Sequence, residues 1–281
     1  MIDSHVHFWQ LALGDYKWIT QARPKLKRDF LPQDFRDGMT GTSVIGCIAV
    51  QAAPTIAETE FLLDLAKNND CILGVTGWVD LTSQDVTKDI ERLSQHAALK
   101  AIRPMIDLKP STWLSAAEFG SGLAALSASR LHLEALASPH HVKAIAQVAK
   151  EHPGLKIVVN HAAKPTPEDL TRWQGDISEL AACDNVFCKV SGFTQQSPDY
   201  NHYLRVFETL LDVFGPHRLM WGSDYPVLLE TSGYMDWLGQ TDRLLDALTA
   251  DERLQITRLT ATNFYDLSHL QKPIPFEGIN V

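Results

Sequence analysis

Ile2-Asp3-Ser4-His5-Val6-His7-Phe8 opens the chain as a short run in which polar residues alternate with apolar ones. Period two is the signature of a strand, and it turns His5 and His7 to the same face. Seven more apolar runs follow, at residues 43–50, 71–79, 100–105, 130–136, 156–161, 185–191 and 218–223. Each is short enough for a strand and too short for a buried helix.

Segments with helical spacing separate these runs. Residues 56–67 place Phe61, Leu62 and Leu65 on one side, and residues 83–96 do the same with Val86, Ile90 and Leu93. Residues 139–151, 200–214 and 251–259 carry similar stripes, with Pro139 near a helix start and an acidic first turn at Asp251. Residues 120–129 and 176–182 are two further helical segments. Strands alternating with helices pair in parallel through right-handed crossovers. Eight such units in 281 residues predict an α/β fold of one domain over residues 1–281, a closed (β/α)8 or TIM barrel. The rival, an open doubly wound sheet, lacks a G-x-G-x-x-G after the first run. Residues 9–41 read as an elaborated loop after strand one that covers a pocket, and residues 272–281, with two prolines, as a C-terminal tail.

Hydrophobic residues make up 45% of the chain and charged residues 21%, ordinary globular usage that leaves no room for disorder or coiled coil. A net charge of −9 argues against nucleic acid or an anionic membrane as partner. No window is apolar enough to span a bilayer, and Asp3, His5 and His7 interrupt the place where a signal peptide would be apolar. Cys47, Cys71, Cys183 and Cys188 form no C-x-x-C pair and sit in or beside apolar runs. They read as buried, reduced thiols of a cytoplasmic protein. The expected partner is a small molecule, and the chain a monomer or homodimer.

The barrel decides which polar residues carry chemistry, because reactive groups of this fold stand at the C-terminal strand ends. His5 and His7 end the first run, His161 ends the sixth, and Asp224 follows the eighth in Met220-Trp221-Gly222-Ser223-Asp224-Tyr225-Pro226. Closure makes strands one and eight neighbours, so the histidine pair and Asp224 converge. Two neutral imidazoles and a carboxylate are a metal-binding set, and the carboxylate alone is a general base. Arg103 and Glu134 interrupt apolar strands, where a charge must be paired or face a polar cavity. Substrate recognition by Arg103 and an Arg103–Glu134 ion pair are equal readings at this point. Lys189, within the seventh run, reads as a substrate hydrogen-bond donor or a member of a structural ion pair. Trp78, Trp113 and Tyr225 are candidates to line a ring or polyol pocket, Lys164 is a lesser one, Gly192 serves a turn, and His140-His141 reads as a surface pair. No G-x-S-x-G or Walker-type loop is present.

The sequence also resembles a family. Ile2-Asp3-Ser4-His5-Val6-His7-Phe8-Trp9 followed by Gly14-Asp15-Tyr16-Lys17-Trp18 is similar to the opening of the sugar lactonases of the amidohydrolase superfamily, L-fuconolactonase and L-rhamnono-lactonase-like enzymes. The similarity continues through Val50-Gln51-Ala52-Ala53, Ile102-Arg103-Pro104-Met105, Asn160-His161-Ala162-Ala163-Lys164-Pro165, Phe187-Cys188-Lys189-Val190-Ser191-Gly192 and the Asp224 motif. The resemblance implies a TIM barrel that opens a sugar-derived lactone. It implies that His5 and His7 are the family's strand-one histidine pair, His161 its strand-six histidine and Asp224 its strand-eight aspartate. The expected site then has Asp224 and His161 as catalytic residues, Arg103, Glu134, Trp78 and Lys189 as substrate contacts, and one divalent ion, zinc, on His5, His7 and Asp224. A metal-independent variant would use the histidines and Arg103 as donors. The chain lacks a strand-four lysine to bridge two metals and a histidine ending strand five, which argues against a binuclear centre. Asn160 stands where these lactonases have Asp, and the loop after Met105 differs from theirs. Two alternatives share the framework: a metal-dependent decarboxylase of a small aromatic acid, and a non-catalytic barrel that binds a sugar acid.

Overall fold

Apolar runs buried on both faces form parallel strands, since only a covered sheet hides both sets of side chains. The computed structural model describes residues 1–115 and 117–267. Its strands are β1 (Asp3–Val6), β2 (Cys47–Val50), β3 (Ile72–Gly77), β4 (Leu99–Ile102), β5 (His132–Ala135), β6 (Ile157–Val159), β7 (Val186–Val190) and β8 (Leu219–Trp221). They lie in sequence order with every neighbouring pair parallel. The ring closes between the first and last strands: Val6 bridges Tyr225, the Asp224 amide donates to the His5 carbonyl at 2.9 Å, and the His7 amide donates to the Tyr225 carbonyl at 2.7 Å. The fold is the expected (β/α)8 barrel.

The helices occupy the crossovers. α1 (Pro32–Met39) precedes β2. α2 (Ile56–Asn68), α3 (Val86–Leu93), α4 (Ala117–Ala128), α5 (Val142–Glu151) and α6 (Leu170–Ala181) follow β2 to β6 in turn. α7 (Phe193–Gln196) and α8 (Tyr200–Phe214) follow β7, and α9 (Tyr234–Leu244), α10 (Ala250–Leu254) and α11 (Thr260–Phe264) follow β8. Local chemistry starts them: the Thr55 hydroxyl accepts from the Glu58 amide ahead of α2, and an Asp199 carboxylate oxygen accepts from the Asn201 amide at α8. α3 buries Val86, Ile90 and Leu93, the stripe read from its spacing.

Alternate strand residues divide between two cores. Cys47, Ala49, Ile157, Val159, Leu219 and Trp221 pack outward under the helices. Ile48, Val50, Ala101, Val158 and Met220 fill the barrel, closed at the N-terminal end by Phe264, Tyr265 and Leu267. Each fully buried large apolar side chain gains about 1.5–3 kcal/mol over exposure. All four cysteines are free and buried. No helix among the described residues is long and apolar enough to cross a membrane.

The differences from the sequence reading are local. Most strands stop short of their apolar runs, and β4 begins one residue earlier than expected, at Leu99. The stretch 9–41 contains a helix, α1, and is anchored by the Trp9–Phe30 bridge. α9 was not legible because its buried face, Tyr234, Trp237, Thr241 and Leu244, includes a hydroxyl. Thr241 is buried at no cost in hydrogen bonding, donating to the Trp237 carbonyl and accepting from Trp221 Nε1, both at 2.8 Å. The expected tail, residues 272–281, lies outside the described residues.

Candidate active site

The C-terminal strand ends deliver four side chains to one point. His5 and His7 share a face of β1 and its continuation, with ring centroids 4.9 Å apart; the His5 and His161 centroids are 4.5 Å apart. All three Nε2 atoms turn toward Asp224 Oδ1, His7 at 3.3 Å, His5 at 3.5 Å and His161 at 3.7 Å.

Two irregular turns make this convergence. Asp224 adopts φ 63°, a left-handed conformation that Asp tolerates better than most residues. Asp3 pins that turn from β1: its Oδ1 accepts from the Ser223 amide at 2.8 Å and the His5 amide at 3.2 Å, and its Oδ2 from the Tyr234 hydroxyl at 3.0 Å. After β6 the chain makes a left-handed turn through His161, Ala162, Ala163 and Lys164, with φ of 54°, 54°, 59° and 57°. L-residues pay roughly 1–2 kcal/mol each for this conformation. The turn brings His161 and Lys164, three residues apart, to the wall of one cavity. Trp173 Nε1 fastens it by donating to the Ala162 carbonyl at 2.7 Å.

Asp224 and the imidazoles of His7 and His161 lie in the wall of a cavity of about 650 Å³. Arg103 and the Lys164–Asp107 ion pair (2.8 Å) line it as well. Asp15, Lys17, Trp18 and Arg23 of the first loop and Glu230 after β8 complete it. The loop is latched over the barrel by Arg23–Glu230 at 3.3 Å and by Lys25 Nζ donating to the Leu229 carbonyl at 2.8 Å.

Burial works to raise the Asp224 carboxyl, but the fields of His161 and His7 and the Arg103 guanidinium overcome it and hold the group below the ordinary carboxylate range. Burial lowers His161 to about 3, against the pull of Asp224. Burial, then the charge of Lys189, keeps the His5 imidazole well below its ordinary value. An ionised carboxylate beside the imidazoles of His5 and His161, both biased to the neutral form, is an arrangement that can take a proton from water at neutral pH.

Residues 2–267 match the family model for amidohydrolases called Amidohydro_2. The chain belongs to this amidohydrolase family. An L-fucono-1,5-lactonase from Burkholderia ambifaria is 36% identical to it, over 94% of both chains. An amidohydrolase from Burkholderia multivorans, solved with bound HEPES and again with bound zinc, superposes with TM-scores of 0.89 and 0.88 at 31% and 32% identity, covering 94% of this chain and 98% of that one. A 5-carboxyvanillate decarboxylase from Sphingomonas paucimobilis has a TM-score of 0.68 at 16% identity, over 95% of this chain and 98% of that one, a likeness of fold alone.

In this amidohydrolase the donor set fits a divalent ion such as zinc. One nitrogen each from His5 and His161 and an oxygen of Asp224 lie within 4.8 Å of one another. His7 Nδ1 faces the Val50 carbonyl at 2.8 Å, which leaves its Nε2 lone pair free, the arrangement usual behind a metal-bound imidazole. His161 Nδ1 faces Ser191 Oγ at 2.8 Å.

Other expected site residues stand elsewhere. Glu134 pairs with Lys189 at 2.7 Å, not with Arg103, and both are fully buried beneath the cavity rather than on its wall. Arg103 donates instead to the Gln51 carbonyl, and Gln51 returns a bond to the Arg103 carbonyl at 2.9 Å. Arg103 Nε has no partner among the described residues. Trp78 is half-buried and, with Trp113 and Tyr225, is not part of the cavity wall; Trp113 packs on Phe119, Tyr225 on Phe30, Phe35 and Tyr234. The aromatic wall is Trp18. His141 is buried, its Nε2 facing the Lys109 carbonyl at 2.7 Å, because it caps the turn into α5. The sequence reading missed Asp3, Gln51, Asp107 and Ser191. Asp3 and Ser191 carried a signal, since each is a polar residue within or ending an apolar run.

Proposed function

We propose that the protein hydrolyses a sugar-derived lactone, an aldonolactone such as L-fucono-1,5-lactone, to the open-chain sugar acid. The observation that carries this reading is the convergence of three imidazoles on an ionised Asp224 beside a cavity of about 650 Å³, in a chain 36% identical to an L-fucono-1,5-lactonase. The cavity wall carries four cationic side chains (Lys17, Arg23, Arg103, Lys164) and four acidic ones (Asp15, Asp107, Asp224, Glu230). That balance suits a neutral, hydroxyl-rich ring better than an anionic aromatic acid, which separates the lactonase from the decarboxylase.

Asp224 accepts a proton from the water that attacks the ring carbonyl, and returns it to the ring oxygen as the ester bond opens. Arg103, and His161 when no ion occupies its Nε2, can donate to the oxygen that gains charge. Arg103 is suited to this because it is buried, always charged and has an Nε without a partner among the described residues. Glu134 and Lys189 support the site from below rather than touching substrate, and Trp78 stands outside the cavity wall. A divalent ion, when bound, would polarise the carbonyl and acidify water. The atoms available to hold it are Asp224 Oδ1 and Nε2 of His7 and His161. His5 joins them on the condition that its ring proton sits on Nδ1.

A pH-indicator assay over a panel of aldonolactones, with and without chelator and with added Zn²⁺ or Mn²⁺, tests this. Ring opening with one proton released per turnover is the expected result. Carbon dioxide release from aromatic acids would favour the decarboxylase, and sugar-acid binding without turnover a non-catalytic barrel. The same reading places the enzyme in the cytoplasm, in carbohydrate metabolism, as a monomer or homodimer.

A further inference from the structure

A second polar layer lies directly beneath the site, inside the barrel. Thr76 of β3, Glu134 of β5 and Lys189 of β7 meet there, and Tyr265 reaches up from the C-terminal segment; all four are fully buried. Glu134 Oε1 accepts from the Thr76 hydroxyl at 2.6 Å and the Tyr265 hydroxyl at 2.5 Å, and its Oε2 from Lys189 Nζ at 2.7 Å. Three donors on one carboxyl match its ionised form, and a buried carboxylate demands a counter-charge. Lys189 is that counter-charge.

Lys189 Nζ has three neighbours that accept: Glu134 Oε2 and the Ser4 carbonyl, both at 2.7 Å, and His5 Nδ1 at 3.2 Å. An ammonium has three N–H groups and no lone pair, so each neighbour receives one hydrogen. His5 Nδ1 is therefore an acceptor, and a neutral His5 carries its single ring proton on Nε2. That atom is buried, lacks a hydrogen-bond partner among the described residues, and lies 3.5 Å from Asp224 Oδ1. The contrast with His7, whose Nδ1 faces a carbonyl, is complete: one imidazole of the H-x-H pair offers the site a hydrogen, the other a lone pair.

We propose that Lys189 is a positioning residue that fixes His5 as its Nε2–H tautomer, making His5 a hydrogen-bond donor beside Asp224 and withholding it from a metal ion. A metal ligated by His5 Nε2 would have to move the ring proton to Nδ1, against the ammonium. Only the effect on rate rests on the lactonase reading; the tautomer does not.

The test is nitrogen NMR on chelator-treated, ¹⁵N-histidine-labelled protein, with His5 assigned by its loss in His5→Gln. Nδ1 in the lone-pair range and Nε2 in the N–H range are expected; the reverse overturns the proposal. A second arm removes both buried charges together in Lys189→Met/Glu134→Gln. Calorimetric titration with zinc chloride should show binding about 10-fold tighter or more, the size of effect that groups behind a ligand exert, because His5 is released to ligate. Unchanged or weaker zinc binding by a folded double variant counts against it. If that variant does not fold, the tautomer measured on the unaltered protein decides. A protein with this tautomer that opens no lactone would refute the functional reading and leave the role of Lys189 standing.

Discussion

A side chain at Gly192 would collide with His161: a Cβ built there lies 2.7 Å from Cγ and Nδ1 of the imidazole. Gly192 also holds φ 72°. The glycine after β7 therefore does more than turn the chain. It leaves the space that the ring of the sixth strand end occupies, while the adjacent Ser191 hydroxyl meets Nδ1 at 2.8 Å.

Gly192→Ala should displace His161 without touching the cavity directly. A 1 Å misplacement of a reacting group costs about 10²-fold in rate, and the left-handed φ adds roughly 1–2 kcal/mol of destabilisation. Steady-state kinetics and thermal unfolding on one preparation check both. Undiminished kcat would mean that the placement of His161 is irrelevant to turnover.

Asp224→Asn should lower kcat by about 10²–10⁴-fold with the fold intact, the usual effect of deleting a general base. The carboxyl sits below its ordinary 3.8. A base must be ionised to act, so activity is retained through neutral and mildly acidic pH, and titration of this group removes it only below 3.8. A kcat/KM profile on the best lactone, run above the acid unfolding range, reads this. An acid limb near 6 would identify some other essential group.

Asp3 predicts a pH dependence of stability. Burial raises its carboxyl from 3.8 to about 6, against hydrogen bonds from Ser223, His5 and Tyr234. The folded protein thus binds this proton more tightly than the unfolded chain. The contribution is fullest below 3.8, declines between there and about 6, and is gone above. Asp3→Asn keeps the acceptor for the Ser223 and His5 amides and removes the charge. Relative to the unaltered protein it should gain about 1–3 kcal/mol between pH 4 and pH 7.5, from 1.36 kcal/mol per pH unit of displacement. Chemical denaturation at the two pH values measures it.

Ala163→Gly tests the left-handed turn. Ala163 has φ 59° and is fully buried. Its replacement loses a methyl but relieves strain, so stability should change by less than about 1 kcal/mol. Ala146→Gly, in the middle of α5 and equally buried, loses a methyl and adds backbone entropy, and should cost about 2 kcal/mol. Equal losses at the two sites would show that the turn stores no strain.

The sequence by itself determined what depends on near neighbours in the chain. Period two placed His5 and His7 on one face, strand–helix alternation specified the barrel, and the barrel placed Arg103, His161 and Asp224 at one rim. Only the tertiary structure decided the partners. Glu134 is neutralised by Lys189 and not by Arg103, Asp3 ties the first strand to the turn after the eighth, and Gly192 makes room for a ring thirty-one residues earlier in the chain. Lys189 meets His5 across 184 residues of chain. Such contacts are set by how the staggered strands close and by the torsions of single turn residues. Neither is written in local periodicity, because a strand pattern says which way a side chain points and not what it finds there.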